Sequence, residues 1–379
     1  MKRVRFGVVG FGGRGRNLAK SAALMEISEF VAACDLFDNT WYEQQQGHAA
    51  PFADMFSDTH FYNSYDEMLE NEELDAVIVE TGAEVHTEFC CKALKKNINV
   101  LSDIPIVASL QEADYIWKVA KESKANIMVG SNVNFQRFVV KLKEFYEKGL
   151  LGKPYCMECQ YIHWPLPKAV FEYKNADWRN HLSPIRYCTH SLGPLLTIVE
   201  EELKYVSCFG TGMHADEYED GMDIDDMQCA QFKTESGVII RLMRNGRCTA
   251  KMGHHKYRVF GTEGYMEKED ILSPDGKGII RYNSTRELEN VTKEMDGKYL
   301  PFEYENHEYA KNLPGHGGID YAMIEHFFKA LINGEKMPVT LKEGLAMTLP
   351  GIYAEESAKR NGEVIRMTYP WNEDWSTEF

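Results

Sequence analysis

The chain has 379 residues, 44% of them hydrophobic and 26% charged, with a formal net charge of −16 at pH 7. That composition fits a soluble globular protein too long for one ordinary core, so two domains are expected. The acidic balance argues against nucleic acid as a partner, and no apolar run approaches the roughly 18 residues of a membrane span.

Residues 1–6 are basic but lack a long apolar stretch and a small-residue cleavage site, so a cytoplasmic protein is expected. Residues 4–9 read as a strand, followed at once by Gly10-Phe11-Gly12-Gly13-Arg14-Gly15, a helix over 17–25 and a second strand over 30–35. Strand, glycine turn, helix and strand form a βαβ unit. In such a turn Gly10 permits the tight bend, Gly12 lets the backbone approach a pyrophosphate, and Gly15 allows helix to pack closely on strand. The helix then offers unpaired N–H groups to the phosphates. Glycine turns are common, so the weight comes from the context and from Asp35, which ends the second strand twenty residues after Gly15. Its carboxylate can accept hydrogen bonds from ribose hydroxyls and would repel a 2′-phosphate, and Leu36 and Phe37 offer no cation. NAD is therefore expected rather than NADP. Arg14 and Arg16 either pair with the pyrophosphate or are solvated.

Helices are expected over 65–70, 84–95 and 110–123, and strands over 76–80, 98–102 and 126–130. This alternation implies a parallel sheet covered on both faces. After residue 130 the pattern changes to a helix over 138–148 and alternating strands over 155–163, 203–211, 227–234, 238–245 and 257–261. Helices return over 319–333 and 341–360. The fold class is α/β: a Rossmann dinucleotide-binding domain, 1–130, and an α+β domain with a mainly antiparallel sheet, 131–379. The nine cysteines include one C-x-x-C, Cys156 and Cys159, inside a strand pattern and without a second pair. Reduced thiols are the expectation there. His254-His255 and the acidic run 223–226 lack a third ligand at a defined spacing, so solvated loops and no metal are expected.

The glycine turn, the 79–86 and 100–105 segments, Gly152-Lys153-Pro154, a central His and a helix over 354–357 occur in an order that resembles the Gfo/Idh/MocA family. The resemblance covers nearly the whole chain. It implies a Rossmann domain joined to an open-sheet domain, a hydride exchanged between nicotinamide and a ring hydroxyl of a sugar or cyclitol, and a homodimer or homotetramer. Most family dehydrogenases carry Glu-Lys-Pro after the fourth strand, whereas this chain reads Asp103-Ile104-Pro105. An Asp is also usual four residues before the central His, where this chain has Arg186. A Lys-assisted mechanism therefore cannot be carried over. Tyr187-Cys188-Thr189-His190-Ser191-Leu192-Gly193-Pro194 and Gly315-His316-Gly317-Gly318-Ile319-Asp320 resemble segments of glycoside hydrolase family 109, whose members also lack that Lys.

The resemblance implies hydride removal from a sugar carbon, most often C3, onto NAD, with His190 either a structural His capping a helix or the base. An imidazole titrating near 6.5 suits that task at neutral pH. Tyr187 either shares the substrate, relays a proton or is merely packed. A persisting 3-keto product would make the protein a glycoside 3-dehydrogenase. Otherwise the ketone acidifies the C2 proton, the C1 substituent is eliminated, water adds and the hydride returns, giving an NAD-recycling glycosidase. A catalytically inactive NAD-sensing regulator is a third reading. Asn134 and Arg137 fall where relatives line the substrate cleft, His316 binds substrate or makes a turn, and Trp178 with Arg179 would form a sugar platform and clamp. By family position, Gly13, His86, Asp103 and Pro105 are expected beside the cofactor. N-capping of a helix is the plainer reading of His86.

Overall fold

A computed structural model describes residues 3–36, 58–162, 181–214, 224–246, 255–272, 278–286, 298–302 and 316–379. Trp178, Arg179, Asp223, His254 and Gly315 lie outside the described residues. The chain divides into two compact units, Met1–Asn132 with Glu305–Leu345 and Thr377–Phe379, and Val133–Tyr304 with Ala346–Ser376.

The first unit runs β1 (Val4–Val9), α1 (Gly13–Ala23), β2 (Ser28–Cys34), β3 (His60–Tyr62), α2 (Tyr65–Asn71), β4 (Ala76–Val79), α3 (Ala83–Lys95), β5 (Asn99–Ser102), α4 (Leu110–Glu122) and β6 (Ile127–Val129). Its six strands are parallel and ordered β3-β2-β1-β4-β5-β6. The strand order reverses between β1 and β4, the place where open α/β sheets bind nucleotides. Residues 76–79 are fully buried, as expected of a strand covered on both faces. Ser64 and Ser109 cap α2 and α4 by accepting from Glu67 N–H and Glu112 N–H.

The helix Ile319–Asn333 also belongs to this unit. Its Phe328 meets Phe6 of β1 at 5.4 Å between ring centroids, and Phe6 stacks on Phe30 of β2 at 5.0 Å. Those rings join the helix to the sheet through one aromatic core. Helix α1 starts four residues earlier than the sequence pattern suggests, because packing overrides the poor helix propensity of two glycines.

The second unit contains α5 (Arg137–Glu147), β7 (Pro154–Tyr161), α6 (Thr189–Leu196), β8 (Leu203–Gly210), β9 (Met227–Thr234), β10 (Ile239–Asn245), β11 (His255–Gly261), β12 (Gly264–Leu272), β13 (Gly278–Ser284), β14 (Lys298–Phe302) and β15 (Ile365–Arg366). Nine strands form one sheet, β14-β13-β12-β11-β7-β10-β9-β8-β15. All pairs are antiparallel except β7 with β10. After α7, the helix Ile319–Asn333, the last helix is α8 (Leu341–Lys359). Helix α6 was not foreseen: it is buried from Thr189 to Leu195 and includes Gly193 and Pro194, so it shows no amphipathic period. Strands β12 to β14 were also not foreseen. Near the sheet's end they alternate charged and apolar residues irregularly, and Met266 and Ile280 are their buried anchors.

Candidate active site

The turn after β1 meets the end of β4. Gly10 has φ +84°, and a Cβ there would lie 2.2 Å from the Glu80 carbonyl oxygen. A Cβ on Gly15 would lie 2.0 Å from the Gly10 carbonyl oxygen. Both positions therefore require glycine, one for backbone conformation and both for space. Gly12 is the N-cap of α1 and lends no side-chain oxygen to the helix, so the first N–H groups keep their capacity for an anion. Asp35 follows β2, its N–H bonded to the Tyr62 carbonyl at 3.1 Å, which fixes the backbone there. His86 lies in the first turn of α3, buried, where the N-cap is Gly82, so it does not cap the helix. Its Nδ1 donates to the Thr81 carbonyl at 3.1 Å. Burial keeps the imidazole pKa low, against the opposing pull of Thr81 and Asp103. The neutral ring then presents Nε2 as a buried acceptor with no hydrogen-bond partner. An orphaned acceptor beside the strand-order reversal and an uncapped helix fit a dinucleotide.

Arg14 and Asp103 meet a carboxylate that sequence reasoning left out. Arg14 Nε donates to Asp103 Oδ2 at 2.8 Å, and Nη1 donates to Asp320 Oδ2 at 2.6 Å. Asn132 Nδ2 donates to Asp320 Oδ1 at 2.8 Å, and His316 Nδ1 lies 3.0 Å from Oδ2. The Ile104 N–H donates to Asp103 Oδ1 at 2.9 Å. Burial works to lower the Arg14 pKa, but Asp103, Asp320 and Glu80 outweigh it and raise it. Burial likewise works to raise the Asp320 pKa, and Arg14 with His316 overcomes that and holds it well below the carboxylate range. Asp103 is held low against burial chiefly by Arg14. Arg14 ties the glycine turn to the Asp103 loop and to α7. Arg16 is buried, its guanidinium over the Phe11 ring at 5.2 Å and its Nε on the Phe11 carbonyl. Pro105 follows Ile104 through a cis peptide bond.

In the second unit three neighbouring strands place Arg244, Tyr161 and His255 in one row. Tyr161 of β7 pairs with Arg244 of β10 on one side and with His255 of β11 on the other. The Arg244 guanidinium carbon lies 4.2 Å from the Tyr161 ring centroid, and the His255 ring stacks on Tyr161 at 4.1 Å. Tyr187 and His190 come from the 3-10 turn Pro184–Tyr187 and from α6. Their rings meet edge to face at 5.2 Å, with the Tyr187 hydroxyl 3.4 Å from His190 Nε2. Tyr257 donates from its hydroxyl to the His190 carbonyl at 2.6 Å. His190 is thus the centre of an aromatic cluster, 7% exposed, at the start of a buried helix.

Residues 4–131 match the oxidoreductase family with the NAD-binding Rossmann fold, Gfo/Idh/MocA, and residues 139–267 match the C-terminal domain of the same family. The chain belongs to the Gfo/Idh/MocA oxidoreductase family. Its first unit is an NAD-binding Rossmann domain. Among its relatives, a glycosyl hydrolase family 109 protein of Shewanella woodyi is 24% identical over 98% of this chain and 85% of that protein. An α-N-acetylgalactosaminidase of Shewanella oneidensis is 22% identical over 96% of this chain and 84% of that one. The fold is similar to that of scyllo-inositol dehydrogenase from Lactobacillus casei, solved with NAD(H) and scyllo-inositol, at a TM-score of 0.72 and 16% identity, covering 96% of this chain and 99% of that chain.

One of the two departures from the family pattern has a local partner. Arg186, where an Asp is usual, pairs with Glu355 at 2.8 Å. Asn134 lies against α6: a Cβ on Gly193 would be 2.6 Å from its Oδ1, a buried acceptor without a partner. Arg137 is exposed at the start of α5, and no contact among the described residues ties it to the His190 cluster. His316 joins Arg14 and Asp320 in the first unit. Cys156 and Cys159 are free thiols three apart on one strand, hence on opposite faces. His255 opens β11 and is not in a solvated loop, whereas Asp225 and Asp226, the described acids of the 223–226 run, lie in a part-exposed loop. His255 is in the cluster, and Asp225 and Asp226 accept from the N–H groups of Gly212 and His214. No group of three metal-ligating side chains occurs among the described residues. No helix there is long and apolar enough to cross a membrane. Asp320, Asn132, Tyr161, Arg244, His255 and Tyr257 were missed. Asp320 ends the glycine-rich segment 315–320, whereas the cross-strand row depends on sheet register.

Proposed function

We propose that the chain is an NAD-dependent oxidoreductase acting at C3 of a sugar or glycoside, with His190 as the base and Tyr187 as its partner. The observation that carries this reading is the 3.4 Å approach of the Tyr187 hydroxyl to His190 Nε2 inside an aromatic cluster. Aromatic faces suit the C–H faces of a sugar ring, while the Tyr–His pair can bind and deprotonate a hydroxyl. His190 takes the hydroxyl proton as the C3–H bond breaks and the carbonyl forms. Bound NAD supplies the hydride acceptor. The residues that would hold it are Gly10, Gly12, Gly13, Gly15, Asp35 and His86, with Asp103 and Pro105 shaping the neighbouring loop. Arg14 supports the turn through its carboxylates. Asn134 would place the substrate against α6, and Arg137, Trp178, Arg179 and His316 remain proposed substrate contacts. A homo-oligomer in the cytoplasm is proposed from the family resemblance and the composition.

A second reading has its own support, since Ile104 replaces the family Lys and the chain is similar over nearly its whole length to proteins named as glycosyl hydrolases. There the C3 ketone acidifies the C2 proton, which a base removes as the C1 substituent leaves. Addition of water and reduction at C3 then complete a hydrolysis without net redox change.

Product analysis decides between them: the purified chain is incubated with NAD and a panel of glycosides, beside the His190→Ala variant. A 3-keto product with stoichiometric NADH supports the dehydrogenase. Released aglycone with no net NADH moves the assignment to the recycling glycosidase. Turnover that persists undiminished in His190→Ala overturns the role of His190. No turnover of any glycoside, with NAD still bound, favours the NAD-sensing regulator.

A further inference from the structure

Arg244 differs from three other arginines of the second unit. Arg186, Arg241 and Arg258 each sit on a carboxylate within 3.0 Å. Arg244 has no carboxylate partner among the described residues. Its Nη1 donates to the Tyr161 carbonyl at 3.3 Å and to the Asn245 side-chain oxygen at 2.9 Å, both uncharged acceptors. Its Nε is buried and has no partner. Burial is the chief influence on its pKa and lowers it, and the groups that oppose this are Tyr161, Tyr187 and Cys188. A part-buried cation without a counter-ion carries a desolvation cost that ring faces only partly offset. The chain has 58 acidic and 42 basic residues, yet none of the described carboxylates pairs with Arg244.

The setting gives this cation a use. Its guanidinium carbon is 4.2 Å from the Tyr161 ring centroid and 5.6 Å from that of Tyr187, the hydroxyl of which reaches His190. His255 covers the opposite side of the Tyr161 contact row and lies 5.8 Å, ring to ring, from His190. One fixed cation and two imidazoles therefore surround the tyrosines, and the described residues contribute no balancing negative charge to Arg244. We infer that the substrate supplies it: Arg244 binds an anionic substituent, carboxylate or phosphate, of an acidic sugar or glycoside. This rests on the sugar reading above and adds the charge class of the sugar. The guanidinium suits either group because both present paired oxygens to its N–H donors.

The test is calorimetric binding to the full chain saturated with NAD, using a methyl hexopyranoside, the corresponding methyl hexopyranosiduronate and the 6-phosphate. The expected result is at least about tenfold tighter binding of one anionic form than of the neutral glycoside, the preference weakening as salt is added. Which anion binds tighter identifies the substituent. Arg244→Gln is expected to remove the preference and Arg244→Lys to retain part of it, with the Kd for NAD unchanged in both. If Arg244→Gln does not fold, the wild-type comparison and Arg244→Lys carry the test. Equal binding of neutral and anionic glycosides, or a preference that survives Arg244→Gln, overturns the inference while leaving the sugar reading intact. NAD binding without binding of any glycoside overturns both.

Discussion

The Tyr257 hydroxyl donates a 2.6 Å hydrogen bond to the backbone carbonyl of His190, while its ring stacks on Phe138 at 5.3 Å. A strand residue thereby fixes the first turn of the helix that carries the proposed base. Loss of that hydroxyl leaves a buried carbonyl without its donor at a cost of about 1–2 kcal/mol. Tyr257→Phe is expected to lower the unfolding free energy by that amount in urea titration. It should also reduce kcat by about tenfold through a misplaced imidazole, with the Kd for NAD unchanged.

Asp320 holds Arg14 at 2.6 Å and accepts from Asn132 at 2.8 Å. Asp320→Asn leaves Arg14 with Asp103 and Glu80 and is expected to cost about 2–3 kcal/mol and to weaken NAD binding about tenfold. Rescue of binding by Asp320→Glu, without full recovery of stability, would separate positioning of the turn from packing. The pH dependence has a definite sign. The folded-state pKa of Asp320 is depressed from an ordinary 3.8. Its contribution is therefore complete above the unfolded value and is lost as pH falls from there toward the folded one. The gap in unfolding free energy between wild type and Asp320→Asn should be constant near neutrality and narrow below about pH 4.

Gly15→Ala puts a methyl group where the Gly10 carbonyl oxygen is 2.0 Å away. That neighbour is backbone and leaves nothing flexible to give way, so α1 must shift from the turn. The expected outcome is a loss of about 1–3 kcal/mol in stability and at least about tenfold in NAD affinity by calorimetry. An unchanged Kd would contradict the role given to the turn.

Asp35 is expected to select NAD through its charge. Asp35→Ser should raise the Kd for NAD about tenfold and lower that for NADP, so that the two converge. A ratio of affinities unmoved by the change would remove Asp35 from the ribose site.

Much of the first unit was legible because its strands are short, apolar and separated by glycine or serine punctuation. Val4–Val9 and Ala76–Val79 are buried on both faces and read as continuous runs. The glycine turn could be assigned from spacing, since its constraint is local. The Arg14–Asp320 pair could not, because 306 residues separate its members and packing of α7 on α1 and β1 brings them together. The same holds for Tyr161, Arg244 and His255. Each alternates innocently within its own strand, and the row appears only once parallel β7–β10 and antiparallel β7–β11 registers are both set. His190 and Tyr187 are candidates by motif, and the structure brings their rings together. The helix beneath them was not legible, because a segment buried all round carries no periodic signal.

Hydride removal from C3 of a sugar onto NAD is the reaction proposed for the chain. Its most direct test uses C3-deuterated methyl glycosides, neutral and acidic, with acid quenching during turnover and mass spectrometry of the nucleotide. Deuterium on the nicotinamide ring is the predicted result, whether the keto sugar is released or carried on to elimination. Glycoside consumption with an unlabelled nucleotide pool and deuterium retained at C3 throughout would contradict it.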